Sequence, residues 1–119
     1  MTRKEYFDRL ESVAVDKEKV GIVNELYGTE LPEILQKIVS TADEPVFLGD
    51  GLRILSFDEV INAESYLHVD FKGKKVIPVA DCCDNDFIVY NYNDSTWSKF
   101  NITDEIVFKI KTSITELVF

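Results

Sequence analysis

Two short apolar runs separated by an acidic turn constrain the fold of this chain more than any other feature. The runs cover residues 76–80 and 87–92, and both are rich in β-branched or aromatic side chains. Between them lies Asp-Cys-Cys-Asp-Asn-Asp, and Asp and Asn stabilise tight turns by hydrogen bonding to nearby backbone. Runs of this length and composition are typical of strands. The stretch therefore predicts an antiparallel hairpin in the middle of a sheet.

Helical patterns precede this hairpin. Apolar residues at helical spacing predict an amphipathic helix over residues 3–15 and a second one capped by Asp16, and the spacing leaves open whether Asp16 divides one helix or two. Gly28 stands where a helix C-terminus accommodates a positive φ. A third helix is expected after Pro32, where a single apolar stripe contains Leu31, Ile34, Leu35, Ile38 and Val39.

Short strands and turns dominate the remaining sequence. Capping boxes, in which Ser and Glu bond reciprocally to backbone N–H groups, predict helices opening at residues 56–59 and 113–116. The lysine-rich residues 72–75 are interpreted as a turn. Further strands are predicted over residues 46–48, 52–55, 96–100 and 105–111. Because helices and strands are segregated, the predicted class is α+β, with a central antiparallel sheet, N-terminal helices and a short C-terminal helix.

Size and charge restrict the partners that we expect. With 119 residues the chain has the length of one domain, spanning 1–119. Its 13 basic and 22 acidic residues give a formal net charge of −9, which repels nucleic acid and anionic lipid but attracts a basic protein. The alternative is that the charge serves solubility alone. A charged N-terminus without a signal-peptide core and only two cysteines indicate the cytoplasm.

The residues with reactive side chains do not form a recognisable catalytic set. His68 is the only histidine, so a paired-His metal site is excluded. Cys82 and Cys83 provide two of the roughly four ligands that zinc requires, and neighbouring residues of a strand point to opposite faces. We therefore expect one cysteine to face the core and the other to be partly exposed. No enzymatic activity, cofactor or metal is expected.

The acidic turn itself supports a hypothesis of recognition. Asp81, Asp84 and Asp86 superficially resemble a calcium loop, which leaves a metal-binding or small-ligand domain as an alternative, although the central Gly and later Glu of such loops are missing. Carboxylates beside rigid aromatic rings are typical of protein–protein contacts. The residues predicted at the contact surface are Asp84, Asp86, Asp94 and Trp97, with Tyr90 and Tyr92 beside them.

Residues 27–35, Tyr-Gly-Thr-Glu-Leu-Pro-Glu-Ile-Leu, resemble the YG-x-x-LP helix entry of the SUKH superfamily, which includes the Smi/Knr-type domain. The resemblance continues through residues 52–59, the 76–80 run with its acidic turn and the strand of Trp97, and so covers nearly the whole chain from Asp16. Cysteines stand in the turn where the family often has glycine.

This resemblance implies an α+β fold with a central antiparallel sheet and no known catalysis. Bacterial members of the family are typically immunity proteins that neutralise a cognate protein toxin by direct binding. Many such toxins are nucleases with basic clefts, to which an acidic inhibitor is suited. The fungal members imply the alternative of an intracellular scaffold or regulator.

Overall fold

The computed structural model describes all residues from Met1 to Phe119. Three helices precede the first strand of a six-stranded sheet, three more lie between the second and third strands, and one follows the last strand. The helices are α1 (Arg3–Leu10), α2 (Lys17–Tyr27), α3 (Glu33–Thr41), α4 (Phe57–Ile61), α5 (Ala63–Leu67), α6 (Phe71–Lys74) and α7 (Thr115–Val118). The strands are β1 (Val46–Phe47), β2 (Arg53–Ile54), β3 (Val76–Asp81), β4 (Asp86–Asn91), β5 (Thr96–Asn101) and β6 (Ile106–Lys111). The predicted α+β class is confirmed. None of the helices has the length and apolar content that crossing a membrane requires.

Asp16 separates two helices, which settles the alternative that the sequence leaves open. Its carboxylate accepts hydrogen bonds from the backbone N–H groups of Glu18 and Lys19, at 3.1 and 3.2 Å. These bonds satisfy donors that a helix start would otherwise leave unpaired, so a new helix begins here. The first helix is shorter than the predicted range of residues 3–15, because α1 ends at Leu10. Gly28 ends α2 with a φ of 70°, as predicted.

The capping box of residues 56–59 is confirmed, but the structure differs from the sequence prediction in three short segments. The helix that it opens is interrupted at Asn62, which separates α4 from α5. The predicted turn at residues 72–75 is mostly the single-turn helix α6. The box at residues 113–116 is incomplete, because the Ser113 hydroxyl accepts from the Thr115 N–H instead of bonding to residue 116.

The sheet is a meander in which each strand pairs antiparallel with the next, in the order β1-β2-β3-β4-β5-β6. The predicted central hairpin is present as β3 and β4, with Ile77 opposite Tyr90 and Asp81 opposite Phe87. Because neighbouring strands run in opposite directions, successive connections alternate between the two ends of the sheet. The turns β1–β2, β3–β4 and β5–β6 therefore lie at one end, and the β4–β5 turn lies at the other.

Side chains cover the central strands on both faces. Trp97 and Phe100 of β5 are three residues apart and so point to opposite faces, and both are buried. The ring of Phe100 packs on Phe71 of α6, with centroids 5.8 Å apart, and the ring of Trp97 packs on Tyr90 at 4.8 Å. Two-sided burial explains why β3 and β4 are continuous apolar runs without alternating polar residues.

Candidate functional site

The four residues predicted at a contact surface do not form one patch. Asp84 is exposed in the β3–β4 turn, and Asp86 is half-buried at the start of β4. Asp94 is exposed in the β4–β5 turn, where it accepts a hydrogen bond from the Thr96 hydroxyl at 2.7 Å. The six residues of β4 separate the two turns by about 20 Å. A contact that is centred on Asp84 therefore leaves Asp94 outside it.

Trp97 is a core residue, which corrects its predicted place at the surface. Only 4% of its area is exposed, because β5 lies between β4 and β6 and its faces are covered. Tyr90 is equally buried beneath it. Tyr92 is half-buried and packs edge-on against Tyr27, with ring centroids 6.4 Å apart. Of the three aromatic residues that the sequence suggested as anchors, Trp97 and Tyr90 thus belong to the protein interior and Tyr92 alone is partly exposed.

Three hairpin turns bring carboxylates together at one end of the sheet. The sequence predicts strands on both sides of each turn, but of the three it singled out only the turn at residues 82–85 as a contact surface. We define the acidic sheet end as the turns at residues 49–51, 82–85 and 102–105. It carries three exposed carboxylates that form no ion pair: Asp50, Asp84 and Asp104. The only signal for this grouping is the antiparallel strand order, which places alternate turns at the same end.

Hydrogen bonds join the three turns into one surface. The Cys83 thiol donates to the carbonyl of Gly51 at 3.2 Å. The Asn85 side chain donates to the Thr103 hydroxyl at 3.1 Å, and the Ile102 N–H donates to the Asn85 carbonyl at 2.9 Å. A Cβ at position 51 would lie 2.8 Å from the Cys83 sulfur, so this close approach requires glycine. The carboxylates are therefore carried by turns that support one another.

The remaining carboxylates of the predicted calcium loop serve internal contacts. Asp81 lies 3.3 Å from the Arg53 guanidinium and accepts from the Cys83 N–H at 2.8 Å. Asp86 accepts from the Asn101 side chain at 2.8 Å. No group of three or more His, Cys, Asp or Glu side chains in the chain is arranged to hold a metal ion. The calcium hypothesis therefore lacks a ligand set.

Arg53 forms the main ion-pair network beneath the acidic sheet end, and sequence analysis did not single it out. Its guanidinium donates to both oxygens of Glu59 at 2.7 and 2.8 Å and reaches Asp81, so it connects β2, the start of α4 and β3. Burial alone would raise the pKa of Glu59, but the Arg53 bond and the Ser56 N–H outweigh it and lower that pKa. An arginine inside the apolar run Leu-Arg-Ile-Leu is the signal that points to such a buried partner.

The β3–β4 turn contains three consecutive residues with positive φ: Cys83 at 73°, Asp84 at 56° and Asn85 at 65°. The Asp86 N–H donates to the Cys83 carbonyl at 3.0 Å, which closes a type I′ turn with Asp and Asn at its centre. Asp and Asn tolerate this left-handed region, whereas cysteine gains nothing from it. Cys83 is therefore the strained residue of the turn.

Replacing Cys83 with glycine is expected to raise the free energy of unfolding by about 0.5–1 kcal/mol. Relief of about 1–2 kcal/mol of left-handed strain exceeds the roughly 0.5–1 kcal/mol entropic cost of glycine. Urea denaturation measures the change. Cys83→Ala keeps the strain and loses the thiol's weak hydrogen bond to Gly51, so it should lower stability slightly and not raise it. Cys82→Gly should destabilise because Cys82 has no positive φ. Equal effects of the two glycine substitutions would contradict the strain argument.

A second surface is a groove of about 500 Å³ between α1, α3 and the C-terminus. Its apolar lining consists of Phe7, Leu10, Ile34 and Phe119, and its polar rim contains Asp8, Glu11, Glu33, Lys37 and Thr115. Lys37 is occupied within the chain, since it lies 3.5 Å from Glu33 and donates to the Glu11 carbonyl at 3.1 Å. Carboxylates are thus in excess around an apolar floor.

The potential nucleophiles and bases do not come together in one site. His68 is exposed at the end of α5 with a φ of 57°. Burial raises the pKa of the Cys82 thiol, which disfavours the reactive thiolate. As expected, Cys82 is partly buried and Cys83 is exposed. The side chains of Cys82 and Cys83 are not hydrogen-bonded to each other, and no third side chain is hydrogen-bonded to both thiols.

A scan of protein-family models, a search of curated proteins and a search of solved structures each find no match to this chain. The geometry of the chain itself presents two surfaces to a partner. One is the acidic sheet end on three interlinked turns, and the other is the acidic-rimmed groove near the C-terminus.

Proposed function

We propose that this chain is a non-catalytic binding protein that neutralises a cognate protein toxin by docking a basic surface of the toxin onto the acidic sheet end. The observation that carries the proposal is the grouping of three exposed carboxylates without ion pairs on separate turns, Asp50, Asp84 and Asp104. Complementary charge accelerates encounter with a basic partner and disfavours partners of like charge. The net charge of −9 extends the same attraction over the whole molecule.

The construction of these turns supports binding by a preformed surface. The bonds from Cys83 to Gly51 and from Asn85 to Thr103 hold the turns in place before any partner arrives. Less conformational freedom is then lost on association, so more of the contact energy contributes to affinity. The resemblance to SUKH immunity proteins supports a toxin as the partner, the cytoplasm as the compartment, and a basic nuclease cleft as the target surface.

A second candidate function, that of an intracellular scaffold or regulator of the Smi/Knr type, is favoured by the groove between α1 and α3. Its apolar floor suits a side chain of a partner segment, and Glu11, which forms no ion pair, suits a basic residue beside that side chain. Asp8 and Glu33, in contrast, are already paired with Lys4 and Lys37. This function needs no toxin gene beside the gene for this chain. Binding would then be lost on substitution in the groove, for example Ile34→Asp, and retained on substitution in the acidic sheet end.

Neutralising the acidic sheet end is expected to weaken toxin binding about tenfold or more. The triple variant Asp50→Asn, Asp84→Asn, Asp104→Asn removes three charges while keeping residues that tolerate positive φ at positions 50 and 84. Exposed charges contribute modestly one by one, and their main effect is on the association rate and its salt dependence. Surface plasmon resonance with the purified product of the adjacent gene, at low and high salt, measures both.

The matched control is the triple variant Asp94→Asn, Glu25→Gln, Glu30→Gln. It has the same net charge, but its positions lie toward the opposite end of the sheet, where Tyr27 of α2 packs on Tyr92. Binding should weaken much less than in the first variant. If both variants bind equally well, the acidic sheet end is not the contact surface. If the natural chain does not bind the product of the adjacent gene, the toxin assignment is wrong.

A further inference from the structure

The last strand of the sheet, β6, exposes apolar side chains that neither candidate function uses. Ile106, Val107 and Ile110 are 53%, 40% and 59% exposed. They account for three of the eight large hydrophobic residues that the chain exposes, and they lie within five consecutive positions. The opposite edge strand, β1, has only two residues. Exposed apolar surface on this sheet is therefore concentrated at one long edge.

An edge of this kind is predisposed to pair with another strand. β6 has a neighbour on one side only, so alternate backbone N–H and C=O groups face solvent along its free side. Its sequence, Ile-Val-Phe-Lys-Ile-Lys, is rich in residues that favour strands and contains no proline. Between Ile106 and Phe108 the pairing with β5 is regular, so this part of the free edge is straight enough to accept a partner.

The charges along β6 select the partner. Glu105 precedes the strand, where it is about half-exposed and lies at 4.0 Å from Lys74 of α6, whereas Lys109 and Lys111 occupy the last half of the strand. When two such strands pair antiparallel, the acidic start of one lies beside the basic end of the other, in both halves of the contact. Lysines on an edge and a bulge, here at Lys109 with a φ of 54°, weaken edge pairing in general, so a partner strand has to place carboxylates beside the lysines to offset this. A second copy of this chain meets the requirement.

We propose that β6 pairs antiparallel with β6 of a second copy, which joins two six-stranded sheets across a two-fold axis. Such an axis makes the contact self-complementary, so each copy contributes the same apolar residues and the same Glu105 and Lys111. The interface is one strand wide and belongs to the small class, so the dimer forms reversibly. In this dimer, Asp50 and Asp84 of the acidic sheet end stay outside the contact, because their turns join β1 to β2 and β3 to β4 and do not border β6.

Sedimentation velocity tests the proposal without any toxin. The natural chain is expected to shift from monomer to dimer as its concentration rises toward about 1 mM. Backbone amides on the free side of β6 should become protected from hydrogen exchange over the same range. A chain that stays monomeric at about 1 mM overturns the proposal, whatever the outcome of the toxin experiments.

Charge-swapped variants distinguish specific strand pairing from nonspecific hydrophobic association. Glu105→Lys makes β6 basic throughout, and the double variant Lys109→Glu, Lys111→Glu makes it acidic throughout, so each variant alone should be monomeric. An equimolar mixture of the two should again form dimers, because opposite charges then face each other. The positions are exposed, and thermal melting confirms that each variant folds. Dimers of either variant alone, or a mixture that stays monomeric, overturn the proposed pairing.

Discussion

Replacing Trp97 with alanine is expected to lower the free energy of unfolding by about 3–5 kcal/mol. The ring is 4% exposed and packs on Tyr90 with ring centroids 4.8 Å apart. Strand β5 is hydrogen-bonded to a neighbour on each side, so the backbone cannot move inward to fill the space that the indole leaves. The loss therefore includes both the transfer of the ring from water and the cost of a cavity.

Urea denaturation followed by circular dichroism measures this loss, since the variant has no tryptophan for fluorescence. The control is Tyr66→Ala, which removes a ring that is 54% exposed and is held by one hydrogen bond to Asp58 at 2.8 Å. That change should cost about 1 kcal/mol or less. If Trp97→Ala kept full stability while abolishing partner binding, the ring would belong to a contact surface after all.

Local hydrogen bonding explains which parts of this fold the sequence predicts well. Asp16, Gly28 and the Ser56–Glu59 pair act on backbone groups within four residues of themselves, so their roles are visible without knowledge of the fold. The β3–β4 hairpin belongs to the same class, because two β-rich runs and a turn of Asp and Asn suffice to specify it. None of these features depends on distant segments.

The site depends on distant segments, and there the sequence predictions were incomplete. Whether Trp97 is exposed is decided by segments outside β5, namely Tyr90 on β4 and the elements that cover the face to which Trp97 points. The distance between Asp84 and Asp94 follows from strand order and length, although the two are ten positions apart in the sequence. Asp50 and Asp104 are 34 and 20 positions from Asp84 in the sequence and join it only because successive strands pair antiparallel, which brings alternate turns to the same end of the sheet.

Replacing Arg53 with methionine is expected to lower the free energy of unfolding by about 2–3 kcal/mol at neutral pH. Methionine keeps the aliphatic volume, but Glu59 and Asp81 are then left partly buried without their cation. A carboxylate stranded in this way costs more than the ion pair contributed, although partial exposure keeps the loss below that of a fully buried pair. Urea denaturation at pH 7 measures the loss. The double variant Arg53→Met, Glu59→Gln should recover part of it, and no recovery would contradict the stranded-charge explanation.

The same network predicts how acid destabilises the protein. Burial works against the charged form of Glu59, but its bonds to Arg53 and Ser56 prevail, so its pKa in the folded state lies below the ordinary value of about 4.3. The unfolded chain therefore takes up a proton at Glu59 before the folded chain does. The stabilisation is fully present above the ordinary pKa and is lost as pH falls through the lowered folded value. Urea denaturation between neutral pH and this acidic range should show a shallower decline for Glu59→Gln, which has no carboxyl to titrate. If the stability of the natural chain and that of the variant decline in parallel, Glu59 does not contribute to the acid sensitivity. The ion pair of Arg53 with Glu59 would then be weaker than the distances of 2.7 and 2.8 Å between them indicate.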